Sequence, residues 1–140
     1  MKLIIAAVAA FLISFVFSFI AHGMLLHGDY AQLPNLFRPD SEGMTYLPII
    51  FLSHLIKGIA FAVVYREGLS ENAPWYTQAI RFGVLMVLLI TLPLYLVYYA
   101  VQPMPGSIVG KQIVFDSIGT FLMAFAVAYI MRTTETATAE

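Results

Sequence analysis

Four long apolar runs constrain this chain of 140 residues more than any other feature. We place them at about residues 3–26, 46–65, 77–101 and 110–131. Each run reaches the roughly 20 residues that a helix needs to cross about 30 Å of hydrocarbon. Strands of a membrane barrel would be shorter and would alternate between apolar and polar residues. The runs therefore predict four membrane-spanning helices.

Composition supports a membrane protein and excludes several kinds of site. The chain is 61% hydrophobic and 11% charged, whereas soluble domains have about 25% charged residues. Its net charge of −1 argues against a nucleic-acid partner. Because it has no cysteine, disulfides, Cys-ligated zinc, iron–sulfur clusters and covalent c-type haem are excluded.

The connecting segments predict the topology. The loop at 27–45 and the shorter segments at 66–76 and 102–109 are rich in glycine, proline and polar residues. Spans joined by such loops form an antiparallel bundle. The predicted fold is therefore all-α, a single transmembrane domain built as an antiparallel four-helix bundle and followed by a polar tail at 133–140.

Basic residues predict the orientation, because cytoplasmic segments are enriched in lysine and arginine. If the N-terminus is inside, the cytoplasmic segments hold Lys2, Arg66, Arg81 and Arg132, and the opposite segments hold Arg38 and Lys111. This distribution favours both termini inside.

Each run contains one stripe of polar residues at helical spacing. The stripes are Ser14, Ser18 and His22; His54 and Lys57; Thr91, Tyr95, Tyr98 and Gln102; and Gln112, Asp116 and Thr120. Residues at i+3, i+4 and i+7 share a helix face, and polar faces of membrane helices turn toward protein. We therefore expect a polar cluster on the bundle axis, with candidate ligand-binding residues His22, His54, Lys57, Tyr95, Tyr98 and Asp116.

Lys57 is the most informative member of this cluster. A charged lysine at the centre of a spanning helix costs about 2.5–3.5 kcal/mol by insertion scales. We predict that it pairs with Asp116, the one acid inside an apolar run. Such a pair either fixes the helix register or takes part in proton transfer or headgroup binding. A third interpretation is that Lys57 extends along lipid toward the interface.

The two histidines allow further interpretations. His22 and His54 could ligate a b-type haem from two helices, or bind a metal together with Asp116. They could equally be hydrogen-bonded interior residues. We predict no cofactor and keep haem b and a metal as alternatives. No nucleophile–base pair, phosphate loop or paired-acid site is present in the sequence, so we predict that the protein is not an enzyme.

Two short segments resemble a family of uncharacterised bacterial four-span membrane proteins, usually described as a domain of unknown function. They are Ser53-His54-Leu55-Ile56-Lys57-Gly58 and Phe115-Asp116-Ser117-Ile118-Gly119. The resemblance implies the same four-span fold, a multi-pass location in the bacterial inner membrane, and family-type positions at His54, Gly58, Asp116 and Gly119. Lys57 and His22 depart from the family pattern.

Three functions remain open. The first, which we favour from the sequence, is a non-enzymatic accessory or scaffold component of the membrane that acts within a homo-oligomer or a larger membrane complex. The second is a protein that binds a ligand or conducts protons or ions through the polar cluster. The third is an electron carrier with b-type haem. The lipid bilayer is the partner that all three share.

Overall fold

The computed structural model describes residues 1–68 and 73–132, and helices account for its architecture. Four helices are long and apolar enough to cross a membrane: α1 (Lys2–Leu25), α3 (Gly43–Glu67), α4 (Trp75–Val101) and α5 (Gly106–Met131). A short helix α2 (His27–Tyr30) and a 3₁₀ turn (Asp40–Glu42) lie between α1 and α3. No β-strand occurs in these two ranges. The all-α prediction with four long apolar helices is confirmed, and the predicted polar tail at 133–140 lies outside the described residues.

The side-chain contacts of α1 show that the helices run antiparallel. Gly58 of α3 lies against the backbone of Phe11, and Phe17 packs on Gly119 of α5. At the chain ends, Lys2 Nζ donates a hydrogen bond to the carbonyl oxygen of Arg132 over 2.8 Å. We call this the termini end of the bundle, and we call the opposite end, which carries α2, the loop end.

Aromatic rings define how α4 joins the bundle. Its Gly83 lies under the ring of Phe121 of α5. Toward α3, the ring of Phe82 makes edge contacts with Phe61 and Tyr65, with centroid distances of 4.7 and 5.1 Å. Going around the bundle, the order of the helices is thus α3, α1, α5 and α4. The aromatic contacts between α3 and α4 lie in the half of the bundle near the termini.

The bundle has two apolar cores, one at the termini end and one at the loop end. The core at the termini end is built largely from small and aromatic residues: Ala6, Ala10, Phe61, Ala62, Tyr65, Ala79, Met86, Met123, Ala124, Val127 and Ala128. The core at the loop end is formed by Tyr95, Met104, Ile108 and Val109, with Tyr30, Leu33, Leu36, Phe37 and Ile113 packed on it. The segment that follows α1 therefore covers the loop ends of α4 and α5.

Two of the long helices contain a π-helical turn, Phe19–Leu25 in α1 and Val87–Thr91 in α4. The second has a clear cause, because Pro93 lacks an N–H and its ring would clash with the carbonyl four residues earlier, that of Leu89. Widening the turn around Leu89 lets α4 continue past the proline. The first contains no proline, and it carries His22 at its centre.

Candidate functional site

A polar cavity of about 190 Å³ lies between the two apolar cores. All four long helices line it. Its lining residues are Ser14, Phe17, Ser18 and His22 of α1, His54 and Lys57 of α3, Tyr95 of α4, and Asp116, Gly119 and Met123 of α5. Each of the four predicted stripes therefore contributes at least one residue to the lining of this cavity.

Asp116 is the centre of the hydrogen-bond network beside the cavity. His22 Nε2 lies 2.9 Å from its Oδ1, and the hydroxyl of Tyr95 donates a short hydrogen bond to its Oδ2. Both carboxylate oxygens thus have donors from other helices. The side chains of His22 and Asp116 still retain 24% and 25% of their accessible surface, so the cavity is open to the surroundings of the bundle.

The second ring nitrogen of His22 continues the network toward the loop end. His22 Nδ1 lies 2.6 Å from the hydroxyl of Tyr30, the last residue of α2. Gln112 Nε2 donates to the same hydroxyl over 3.1 Å. Burial raises the pKa of Tyr30 above its ordinary value of 10.0, while the hydrogen bond from Gln112 opposes that rise. Tyr30 is consequently a neutral phenol at physiological pH.

The network allows two protonation states of His22. Because the carboxylate accepts, Nε2 of His22 carries a proton in both. In the neutral ring, Tyr30 donates its hydroxyl proton to Nδ1. In the imidazolium, Nδ1 donates to Tyr30, whose proton then needs another acceptor. Gln112 Oε1 is buried without a hydrogen-bond partner among the described residues, and rotation of this amide would present it to Tyr30.

On the opposite wall, His54 is held by Ser14. Ser14 Oγ lies 2.6 Å from His54 Nδ1, and the ring of Phe15 packs edge-on against the imidazole. When the serine donates to Nδ1, Nε2 carries the ring proton. No described residue bonds Nε2, so in this tautomer its N–H is left as a donor for whatever occupies the cavity.

Lys57 lines the cavity, but it does not form the predicted ion pair. The partner of Asp116 on α1 is His22, and Lys57 makes no hydrogen bond or ion pair with the described part of the chain. The prediction required the Lys57 side chain to extend along α3 as far as Asp116. His22 already lies beside Asp116 and contacts its Oδ1. The direct Lys57–Asp116 contact is therefore wrong, although both groups face the same space.

Tyr98 is the one predicted cluster residue that the structure does not place on the cavity. Its ring packs edge-on against Tyr95 from outside, with centroids 6.0 Å apart, and 36% of its surface is exposed. The cause is that α4 contacts its neighbours along a narrow stripe that contains Thr91 and Tyr95. The other five predicted residues, His22, His54, Lys57, Tyr95 and Asp116, all line the cavity.

The geometry does not favour the two cofactor alternatives. Both ring nitrogens of His22 are already hydrogen-bonded, and the cavity is smaller than the roughly 300–1,000 Å³ of pockets for drug-sized ligands. Ligation of haem by His22 would break one of these two hydrogen bonds, and haem would need a larger space. Within residues 1–68 and 73–132, no three His, Asp or Glu side chains are placed to hold a metal ion.

Comparison of the chain with protein-family models, with curated proteins and with solved structures finds no match in any of the three. The resemblance to uncharacterised four-span proteins accordingly stays a prediction. The function proposed below is therefore inferred from the chemistry of the cavity.

Proposed function

We propose that this is a non-enzymatic, multi-pass protein of the bacterial inner membrane that binds the polar group of a small ligand in the cavity. The four long helices would span the bilayer with both termini cytoplasmic, which puts the loop end outside. One observation carries the proposal: polar and charged side chains from all four helices surround an open space midway along helices that are long and apolar enough to cross a membrane.

Binding explains the unpaired groups better than a purely structural role does. Buried polar networks that serve only stability have all their members hydrogen-bonded. Here Asp116 has two donors, but Lys57 and Nε2 of His54 make no hydrogen bond to the described residues. An ammonium without hydrogen-bond acceptors would be costly inside a membrane, and a ligand in the cavity would offset that cost.

A hydrogen-bonded chain that leads from the cavity to one end of the bundle favours binding over conduction. The hydrogen-bonded chain runs from Tyr95 through Asp116 and His22 to Tyr30 at the loop end. Toward the termini end, the cavity is closed by the apolar core around Met123. Among the described residues, this hydrogen-bonded chain does not continue through that core.

The scaffold function favoured by the sequence has less support. Close packing between membrane helices uses small residues. Here Gly58, Gly83 and Gly119 are each occupied by a neighbouring helix of the same chain, through Phe11, Phe121 and Phe17. These residues are therefore not free to form a contact between subunits.

Thermal unfolding of the purified protein in lipid nanodiscs tests the proposal. The probes are potassium acetate, glycine, decylubiquinone and palmitic acid, each compared for the wild type, Lys57→Met and Lys111→Met. A probe at 100 times its Kd stabilises the folded state by about 2.7 kcal/mol, which raises Tm by several degrees in a chain of this size.

We expect at least one probe to raise the Tm of the wild type and of Lys111→Met, but not that of Lys57→Met. Lys111 is a matched control because its ammonium pairs with Asp29 on the surface at the loop end, away from the cavity. The proposal fails if no probe shifts Tm, or if every shift is the same in Lys57→Met.

A further inference from the structure

The cavity opens sideways, between the loop-end halves of α3 and α4. The segment after α1 covers the loop ends of α4 and α5, and the apolar core closes the termini end. Contacts between α3 and α4 lie at Phe82, in the half near the termini. Beyond that point both helices expose apolar side chains, such as Ile50, one turn before His54, at 46% and Leu94 at 43%. In a membrane this side faces acyl chains.

The hydrogen-bond donors of the cavity that no protein group occupies favour a ligand with an acidic headgroup. Asp116 already receives two hydrogen bonds, whereas the ammonium of Lys57 and Nε2 of His54 are unoccupied by protein. Two donors, one of them cationic, match the two oxygens of a carboxylate. A neutral carbonyl would accept hydrogen bonds from these donors but would bring no negative charge to the ammonium.

Size and depth restrict the rest of the ligand. A space of about 190 Å³ holds a small head but not a complete drug-sized molecule, so the remainder must lie outside it, among lipid. Lys57 is the fifteenth residue of α3, about 21 Å along the helix from its first residue at 1.5 Å per residue. A phospholipid headgroup would have to leave the interface to reach it.

From these contacts we infer that the ligand is a single-chain carboxylic acid, such as a long-chain fatty acid, which enters from the bilayer between α3 and α4 and places its carboxylate on Lys57 and His54. The inference rests on the proposed function and names its ligand class. A carboxylate in this position would bring a negative charge to the Lys57 ammonium and an acceptor to each of the two side chains. The other titratable groups around the site are His22, Tyr95 and Asp116, which are already bonded to one another.

The test uses the complete protein in phosphatidylcholine nanodiscs free of fatty acid. Binding of ¹³C-carboxyl palmitic acid is followed by the NMR shift of its carboxyl carbon, and acetate, hexadecanol and decylubiquinone are compared by thermal shift. We expect saturable palmitate binding that weakens at least tenfold in Lys57→Met, is retained in Lys57→Arg and is unchanged in Lys111→Met. Acetate and hexadecanol should both bind at least tenfold more weakly than palmitate, because acetate lacks the acyl tail and hexadecanol lacks the carboxylate charge.

A second measurement in the wild type does not depend on the folding of any variant. Palmitic acid that carries a diazirine on its tail should crosslink to the exposed side chains of the loop-end halves of α3 and α4. Crosslinks confined to other faces of the bundle, or palmitate binding equal in wild type and Lys57→Met, would overturn the inference. If acetate or decylubiquinone binds in a Lys57-dependent way and palmitate does not, the cavity is a binding site but the ligand class is wrong. If no probe binds, the proposed function and the inference both fail.

Discussion

Replacing Gly58 by alanine tests the contact that sets the distance between α1 and α3. A Cβ built at this position would lie 2.6 Å from the backbone nitrogen of Phe11 and 2.7 Å from its Cα. Ordinary carbon contacts are about 3.5–4.0 Å, so the two helices would have to separate by about 1 Å. Backbone atoms cannot turn aside as a side chain can, and the strain therefore falls on the whole interface.

The magnitude follows from two opposing effects. Overpacking of this kind costs about 1–3 kcal/mol, whereas alanine is favoured over glycine in a helix by about 0.8–1.0 kcal/mol. Because the clash involves backbone on the facing helix, we expect the upper part of the first range and a net destabilisation of about 2 kcal/mol. Separation of α1 from α3 should also lengthen the hydrogen bond between Ser14 and His54, which joins the same two helices.

Two other glycines, Gly119 and Gly110 of α5, serve as matched controls for Gly58→Ala. At Gly119 the added Cβ would meet the ring of Phe17 at 2.8 Å, and a ring can shift, so we expect a loss below about 1 kcal/mol. At Gly110 nothing lies within 4 Å, so we expect a neutral or slightly stabilising change. Reversible unfolding in mixed micelles, followed by circular dichroism, gives all three free energies. The reasoning is refuted if Gly58→Ala is as stable as Gly110→Ala.

Three further changes test the polar network. In a double-mutant cycle of His22→Leu and Asp116→Leu, we expect a coupling free energy of about 0.5–2 kcal/mol, as for hydrogen bonds between membrane helices, and additive losses would show that the pair does not interact. Because burial raises the pKa of Tyr30, the unfolded phenol ionises first, so the free energy of unfolding should fall as pH rises above about 10; Tyr30→Phe should remove this part of the pH dependence, and an unchanged profile would contradict it. Lys111→Met breaks a half-exposed pair with Asp29, so a stability loss above about 1 kcal/mol would contradict the expectation for surface ion pairs.

The helices and the position of the polar cluster could be predicted because both depend on simple periodicities. Apolar runs of membrane-crossing length gave the four helices, although α3 begins at Gly43 and α5 at Gly106 rather than near 46 and 110. Helical spacing put Ser14, His22 and Asp116 on inward faces, where the structure has them. The boundaries moved because helices extend into the interface until glycine, proline or a turn ends them.

The partners within the cluster were harder to predict than its location. Asp116 pairs with His22 rather than Lys57, since the choice depends on the relative heights of antiparallel helices and α1 contains a π turn at that level. Tyr30 was missed because it lies in a loop segment without periodicity, and it reaches His22 through the fold of α2. Tyr98 was placed inward because its spacing fits, but no helix covers that side of α4.

The bond between Lys2 and the carbonyl of Arg132 has a consequence for engineering. It holds the first helix and the last described residue side by side, 2.8 Å apart at the bonded atoms, so a short peptide could join residues 1 and 132. New termini placed in the turn between α4 and α5, at 102–105, would give a circular permutant with the same four long helices in a new order along the chain. Both of its ends would then lie at the loop end of the bundle, so a tag placed there, compared with a tag on the original termini, would report which way the molecule is inserted in a membrane.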